Sequence, residues 1–152
     1  MAILEEGDMV CYDCGRVNEH SPNCRAQDVA EVLSVYTRAQ ALEDGVLVDV
    51  SETAKEAGIK FPVALTATVW RRHVEVPEGV TGQDEAGRLW DVLWMFRCAA
   101  DKFDGSTLMF KLYVRNHNRE RLDCRDLVTL KAECGPGDNG EPVLTIMLPD
   151  ED

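Results

Sequence analysis

The spacing of the apolar residues changes near residue 105 from a helical period to a strand period. After Thr81 the apolar residues recur every three or four positions, as in a long amphipathic helix. They are Leu89, Val92, Leu93, Phe96, Ala100 and Phe103, with Trp90 and Trp94 on a neighbouring stripe. From Thr107 apolar side chains alternate with others, which is typical of a half-buried strand. A helix followed by strands predicts an α+β fold.

Three strands are predicted after this change. The first contains the alternating residues Leu108, Phe110, Leu112 and Val114, and the others run over residues 122–134 and 143–148. The residues between them, 116–118 and 135–140, are rich in turn formers. We therefore predict a three-stranded antiparallel meander. The long helix is apolar over much of its girth, so we expect it to be central and the meander to pack on it.

Shorter helices are predicted before the long one. Thr37 and Gln40 have the spacing of a capping box, and Gly45 is suited to end that helix. Ser51 can cap a second short helix that Gly58 closes. A third helix is predicted from Pro62, in its first turn, to about residue 73. Its buried face would contain Val63, Ala67, Trp70 and Val74.

The segment before these helices contains the residue types of a zinc site. Cys11 and Cys14 form a CxxC pair followed by Gly15, and His20 and Cys24 lie in the same short window. Two thiolates separated by two residues can hold one metal from a tight turn, and three cysteines with one histidine complete a tetrahedral structural zinc site. We predict a zinc-binding extension over residues 1–25 and a single α+β domain over 26–152.

The ligand spacing is close to that of the CCHC zinc knuckle of retroviral nucleocapsids, but the histidine lies one residue late. The gaps are x2, x5, x3, where the knuckle has x2, x4, x4. Arg16 and Arg25 are the only bases nearby, so RNA binding by this segment is not expected. A redox role is disfavoured because Asn, Ser and Pro follow the pair where a thioredoxin-like motif begins a helix. Replacement of His20 by Cys124 or Cys134 at the metal stays open.

The remaining candidates for chemistry are isolated in the sequence. Cys98, Cys124 and Cys134 fall in helix or strand patterns, which favours a role as small buried side chains. His73 and His117 have no partner at a recognisable spacing, so capping or solvated roles are expected. Asp84 and Glu85 are expected to support the start of the long helix. No set of nucleophile, base and orienting group is visible from spacing, so no catalytic residue is assigned.

The charge of the chain limits its partners. The net charge is -12, and acids outnumber bases by ten to three in residues 1–50, seven to six in 51–100 and eleven to seven in 101–152. DNA and RNA would be repelled by most of this surface. Two interpretations remain: a charge that only favours solubility, or an acidic face that meets a basic protein.

No signal-like start and no long apolar run are present, so we expect a cytoplasmic protein that does not bind membranes. The oligomeric state stays open.

Three segments resemble a family of small proteins from phages, plasmids and other bacterial mobile elements, known as a domain of unknown function. They are VYTRAQALEDGVLVDVSETAKEAGIKFPVALT (35–66), EGVTGQDEAGRLWDVLWM (78–95) and LKAECGPGDNGEPVLTIMLPDED (130–152). The resemblance covers about residues 32–152 and implies no catalytic residue. Family members begin near VYTRAQ, so the Cys11–Cys24 module is identified as an addition to the common domain.

Three classes of function follow as hypotheses. The first is a non-enzymatic acidic binding protein of a mobile element, such as an anti-CRISPR or antirestriction inhibitor that engages a basic nucleic-acid-binding host protein. The second is a zinc-containing regulator that contacts DNA or RNA through Arg71 and Arg72 or through the bases between Arg115 and Arg125. The third is an enzyme that acts on a nucleotide or small metabolite.

Overall fold

The computed structural model of the protein describes residues 36–152, which form an α+β domain. The helices are α1 (Arg38–Glu43), α2 (Ser51–Glu56), α3 (Ala67–Val69), which continues into a π-helical turn (Trp70–Val74), and α4 (Glu85–Ala100). The strands are β1 (Leu47–Asp49), β2 (Val63–Thr66), β3 (Thr107–Tyr113), β4 (Leu127–Pro136) and β5 (Pro142–Met147). None of the helices in this range is long and apolar enough to cross a membrane.

The strands form one mixed sheet in the order β1-β2-β5-β4-β3. β2 and β5 run parallel, with Val63 opposite Leu144, and every other neighbouring pair is antiparallel. The prediction of a three-stranded meander is therefore corrected. β3, β4 and β5 pair in succession, but they are part of a five-stranded sheet in which β5, the last strand in the chain, is the middle one.

The segment after Pro62 is a strand, where the sequence predicted the third helix. Val63–Leu65 are all buried, so they lack the alternation that distinguishes a strand from a turn of buried helix. The carbonyl oxygen of Pro62 accepts the N–H of Leu144 at 2.9 Å and extends the pairing of β2 with β5. The helix begins only at Ala67, after the N-cap Thr66.

The signals for the ends of α1 and α2 are largely confirmed. The Thr37 hydroxyl accepts the N–H of Gln40 at 3.1 Å, and the Gln40 side chain accepts the N–H of Thr37 at 2.9 Å, so the capping box is present. Gly45 and Gly58 follow the two helices with φ of 74° and 85°, which glycine adopts readily. Ser51, by contrast, is the first residue of α2 and not its cap, because its side chain bonds to β1 and to the start of β2.

α4 packs one side against the sheet and leaves the other in solvent. Asp84 is the N-cap, and its side chain accepts the N–H of Gly87 at 2.6 Å. Leu89 and Phe96 belong to the buried side, and the ring of Phe96 meets that of Phe110 edge-on with centroids 5.8 Å apart. The expectation of a central helix is wrong, because the side that contains Trp90, Trp94 and Met95 is exposed.

α1 contacts the opposite face of the sheet. Leu144 and Ile146 of β5 belong to the core, so the intervening Thr145 points to the other face. The Arg38 guanidinium donates to the Thr145 hydroxyl at 2.7 Å and to the Leu144 carbonyl at 3.0 Å. Asp138, in the turn between β4 and β5, accepts the N–H of Arg38 at 2.8 Å. These bonds attach α1 to the middle of the sheet.

Candidate interaction surface

The predicted zinc ligands Cys11, Cys14, His20 and Cys24 lie outside the described residues, so zinc stays a prediction. Within residues 36–152, no group of three or more His, Cys, Asp or Glu side chains could hold a metal ion.

Two of the three other cysteines differ from their predicted roles. Cys98 is exposed because it follows Trp90 and Trp94 along the outer stripe of α4, at intervals of four residues. Cys124 is exposed in the connection between β3 and β4. Only Cys134, half-buried in β4, packs against the core as predicted.

His117 is not isolated but forms a pair with Asp126. Its Nε2 lies 2.7 Å from Asp126 Oδ1, and its Nδ1 accepts the N–H of Arg119 at 3.1 Å, so the proton is on Nε2. The N–H of Asp123 donates to the other oxygen of Asp126 at 2.8 Å. This backbone bond and the imidazole lower the pKa of Asp126. Because residues up to Asp126 are held in this loop, β4 begins at Leu127 and not at Leu122.

Both ring nitrogens of His117 are therefore occupied within the loop. A general base needs a ring nitrogen that can reach a substrate proton, and neither nitrogen is free to do so. The His117–Asp126 pair therefore has a structural role, because its bonds hold the loop in place.

A buried arginine joins two segments that contain predicted basic patches. Arg88 of α4 donates from Nη1 to the carbonyl of Glu75 at 2.8 Å and to Asn116 Oδ1 at 2.9 Å, and from Nη2 to the carbonyl of Arg115. The Asn116 amide in turn donates to the carbonyl of Arg72 at 3.2 Å. Burial, and behind it the charge of Arg115, lowers the pKa of Arg88. The sequence showed neither this network nor the proximity of the two segments.

The arginine side chains of these two segments differ in whether they form ion pairs. Arg119 and Arg125 both pair with Asp123, at 3.2 Å and 2.5 Å. Within the described part of the chain, Arg71 and Arg72 form no ion pair with a carboxylate. His73 beside them is half-buried, and its Nδ1 finds no hydrogen-bond partner there. Burial, followed by the charges of Arg72 and Arg88, lowers the pKa of His73.

An apolar pocket of about 370 Å³ lies beside the C-terminal end of α4. Its large apolar lining residues are Ile59, Phe61, Phe96, Phe103, Leu108 and Leu144. Phe61 and Phe103 are also exposed to solvent, by 44% and 43%. Lys60, Arg97 and Asp101 line the same pocket. A mostly apolar concavity of this size with a few charged groups at its rim is suited to receive an apolar side chain or ligand.

A stacked tryptophan pair adjoins the pocket on the outer side of α4. The rings of Trp90 and Trp94 lie 6.1 Å apart at 13°, and they are 37% and 42% exposed. Arg97, which lines the pocket, places its guanidinium 5.4 Å from the centre of the Trp94 ring. Arg97 thus connects the pocket with the tryptophan pair.

Trp94 also lines a second concavity, which lies along β3. This cleft of about 280 Å³ is formed by Asp91, Trp94 and Met95 of α4 with Lys111, Leu112, Tyr113 and Leu127 of the sheet. We call the pocket, the tryptophan pair and this cleft together the α4 surface. Large exposed apolar areas mark interaction sites in proteins more often than scattered exposed residues do.

The acids along the α4 surface are unpaired. Between residues 85 and 106 there are four acids and three bases, and one of these bases is the buried Arg88. Among the described residues, no cation lies within ion-pair distance of Asp91, Asp101 or Asp104. Burial raises the pKa of Asp91. The surface thus combines aromatic side chains with a modest excess of exposed acid.

A protein-family model described as "Family of unknown function (DUF6573)" matches residues 23–152. The match begins upstream of the predicted resemblance and includes Cys24, but Cys11, Cys14 and His20 precede it. Neither the comparison with curated proteins nor the comparison with solved structures found a match.

Proposed function

We propose that this chain, which belongs to the DUF6573 family of unknown function, is a non-enzymatic binding protein of a mobile element that engages a basic host protein through the α4 surface. The observation that carries the proposal is the exposed stack of Trp90, Trp94 and Arg97 beside an apolar pocket. The mobile-element origin rests on the resemblance of the three segments quoted above.

The α4 surface has the composition of a binding hot spot. Tryptophan and arginine are enriched among the residues that dominate binding energy, and such residues cluster around pockets that exclude water. Trp90 and Trp94 already hold each other in one arrangement, so little side-chain entropy remains to be lost on binding. An apolar side chain of the partner would enter the pocket between Phe61 and Phe103.

The charge supports a basic partner. The net charge of -12 would attract a cationic protein over long distances and speed its association, most strongly at low salt. Asp91, Asp101 and Asp104 are available to meet lysine or arginine residues around the apolar contact. A nuclease or effector subunit that binds DNA or RNA offers such a surface, so the concrete form of the proposal is an anti-CRISPR or antirestriction inhibitor acting in the cytoplasm.

The N-terminal segment is included in the proposal as a structural zinc module. Cys11, Cys14, His20 and Cys24 would hold the metal, because three thiolates and one imidazole fill a tetrahedral site and leave no position for a substrate. Such a module either adds a partner-specific surface or fastens the chain before the domain.

The experiment is capture of host proteins by the tagged full-length chain at moderate and high salt, followed by binding and inhibition assays with each captured nuclease after purification. The Trp90→Ala/Trp94→Ala double variant should reduce affinity at least tenfold, since each large hot-spot residue contributes about 2 kcal/mol or more. Leu122→Ala is the matched control, because Leu122 is 48% exposed but lies in the loop after β3. If no nucleic-acid-binding protein is bound or inhibited at physiological salt, the proposal is wrong.

A second candidate function is favoured by one arrangement. The Arg88 network holds the backbone of Arg72 near that of Arg115, and Arg71 and Arg72 are exposed. These arginines would serve a regulator that contacts nucleic acid. A gel shift with duplex DNA and single-stranded RNA at low salt tests it: binding lost in Arg71→Ala/Arg72→Ala supports the regulator, and no shift excludes it.

A further inference from the structure

Among residues 36–152, β3 is an outermost strand of the sheet, and its pairing with β4 determines which of its backbone groups face away from the sheet. The N–H of Cys134 donates to the carbonyl of Ser106, and the N–H of Val114 donates to the carbonyl of Asp126. In an antiparallel pair, alternate residues direct both backbone groups to the same side. Even-numbered residues of β3 therefore bond to β4, and the N–H and C=O groups of Thr107, Met109, Lys111 and Tyr113 point outward.

This edge lacks most of the features that prevent strands from pairing with another chain. It is seven residues long and contains no proline, whereas β1 at the other edge has three residues. Met109 and Tyr113 are 49% and 54% exposed, and Trp94 and Met95 flank the edge from α4 through the cleft. Lys111 is the one charged residue of the strand, and its effect depends on what lies opposite it.

We propose that β3 pairs antiparallel with β3 of a second copy of this chain, about a two-fold axis at Phe110. In this register Met109 lies opposite Lys111 of the second copy, and Thr107 opposite Tyr113 of the second copy. All four outward residues of each copy are then paired, which makes about eight interchain hydrogen bonds. This number lies within the usual range for a stable interface of about ten bonds.

The residues of β3 select this register over its neighbours. A shift that centres the pair on Lys111 places two lysines directly opposite each other, which is destabilising. A shift that centres it on Met109 leaves Tyr113 outside the paired strands and removes about two hydrogen bonds. A shift by one residue would place the outward N–H and C=O groups of one copy opposite residues of the second copy whose N–H and C=O groups already bond to β4. The Phe110-centred register alone satisfies both conditions, and this self-complementarity favours a second copy over a strand of another protein.

The pairing also covers the apolar flank of α4. A two-fold axis perpendicular to the sheet keeps both α4 helices on the same face, so Trp94 and Met95 of the two copies approach each other across the joined edge. Two five-stranded sheets then form one ten-stranded sheet. The proposal does not depend on the proposed function, but both use Trp94 and Met95, so dimer formation and host-protein binding would compete for this part of the α4 surface.

The test is the mass of the full-length chain together with the exchange of individual amides. Light scattering and sedimentation equilibrium should give twice 17.0 kDa, or 34.0 kDa, at high concentration and approach 17.0 kDa on dilution. Hydrogen exchange should show that the amides of Met109 and Lys111 become at least tenfold slower as concentration rises. The amides of Phe110 and Leu112 should be slow at all concentrations, because they bond within the chain.

Met109→Pro is the decisive variant. It removes an outward N–H that no bond within the sheet uses, so the fold should survive while the mass falls to 17.0 kDa at every concentration. Met109→Ala is the matched control, which keeps the N–H and should stay dimeric. If Met109→Pro does not fold, Thr107→Pro removes another outward N–H at the first residue of the strand, where proline is tolerated.

Three results would overturn the proposal. The first is a wild-type mass of 17.0 kDa at all concentrations. The second is a dimer in which the Met109 amide exchanges as fast as in the monomer, which would place the contact on α4 alone. The third is protection of Met109 only after a different protein is added, which would assign the edge to that protein.

Discussion

Replacement of the buried Arg88 by methionine tests whether the guanidinium network holds the loops on either side of it. Methionine keeps much of the apolar stem of arginine but removes its donors to the carbonyls of Glu75 and Arg115. Leaving a partly buried acceptor without a donor lowers the free energy of unfolding by about 1–3 kcal/mol. Removing Arg88 also removes a charge whose pKa is lowered by burial, and this offsets part of the loss. We therefore expect a net loss of about 2–3 kcal/mol in the free energy of unfolding.

The measurement is urea unfolding of the wild type, Arg88→Met and Arg97→Met. Arg97 is the matched control because it lies on the same helix but is exposed, and its guanidinium lies over the ring of Trp94. That contact contributes about 0.5–1 kcal/mol. With a denaturant slope of about 2 kcal/mol per M, Arg88→Met should lower the midpoint by about 1 M and the control by less than half of that.

Hydrogen exchange adds a local readout. Amides in residues 75–83 and 115–118 should exchange faster in Arg88→Met even where the domain stays folded, because the guanidinium joins these two segments. Equal stability of the two arginine variants, with no change in these amides, would refute the reasoning. The network would then be a consequence of packing and not a cause of it.

Two further predictions concern the metal and the loop after β3. Full-length protein should contain about one zinc per chain by elemental analysis. Cys14→Ser should abolish zinc binding, and Cys98→Ser, on the outer stripe of α4, should retain it. Equal zinc content in the two variants would contradict the site. Asp126→Asn should destabilise the protein at pH 7, and the difference from wild type should shrink as pH falls below about 3.9. The reason is that the pKa of Asp126 is lowered in the folded state. The resulting stability is present above the ordinary carboxyl pKa and is lost as pH falls through the folded-state pKa. Asp91→Asn is the control of opposite sign, since burial raises the pKa of Asp91: it should stabilise the protein at pH 7 and have no effect in acid. Melting curves from pH 3 to 8 measure both differences.

Helix ends and β3 could be predicted because their signals are local. The capping box of Thr37 lies within one turn of the chain, and so does the Asp84 cap. β3 alternates between core and solvent, so its period is visible in seven residues. In each case the physical cause acts over a few residues.

The rest of the fold depends on contacts between distant residues. Val63–Leu65 are all buried although their side chains alternate between the two faces of the sheet, so both faces of β2 are covered by distant parts of the chain. The sequence before and after them shows neither this cover nor the pairing of β2 with β1 and β5. The exposure of Trp90 and Trp94 follows from the fact that the sheet covers only one side of α4. The sequence shows only an apolar stripe wider than a single contact face, and such a stripe predicts central packing. The same limit applies to His117, whose partner Asp126 lies nine residues away in a loop without periodicity.

The position of β5 in the sheet determines when the domain can fold during its synthesis. β1 and β2 can pair as soon as they are made, and so can β3 and β4, but the two pairs meet only through β5, which is made after both. Until then each pair has an open edge, which is a feature that leads to aggregation or to capture by chaperones. Loss of the chain from Pro142 onward would leave two pairs of strands that are not joined in one sheet, and not a smaller version of the domain. Assembly of this fold is therefore expected to be all-or-none, and slow relative to a helical protein of the same size because β2 and β5 are far apart in the chain.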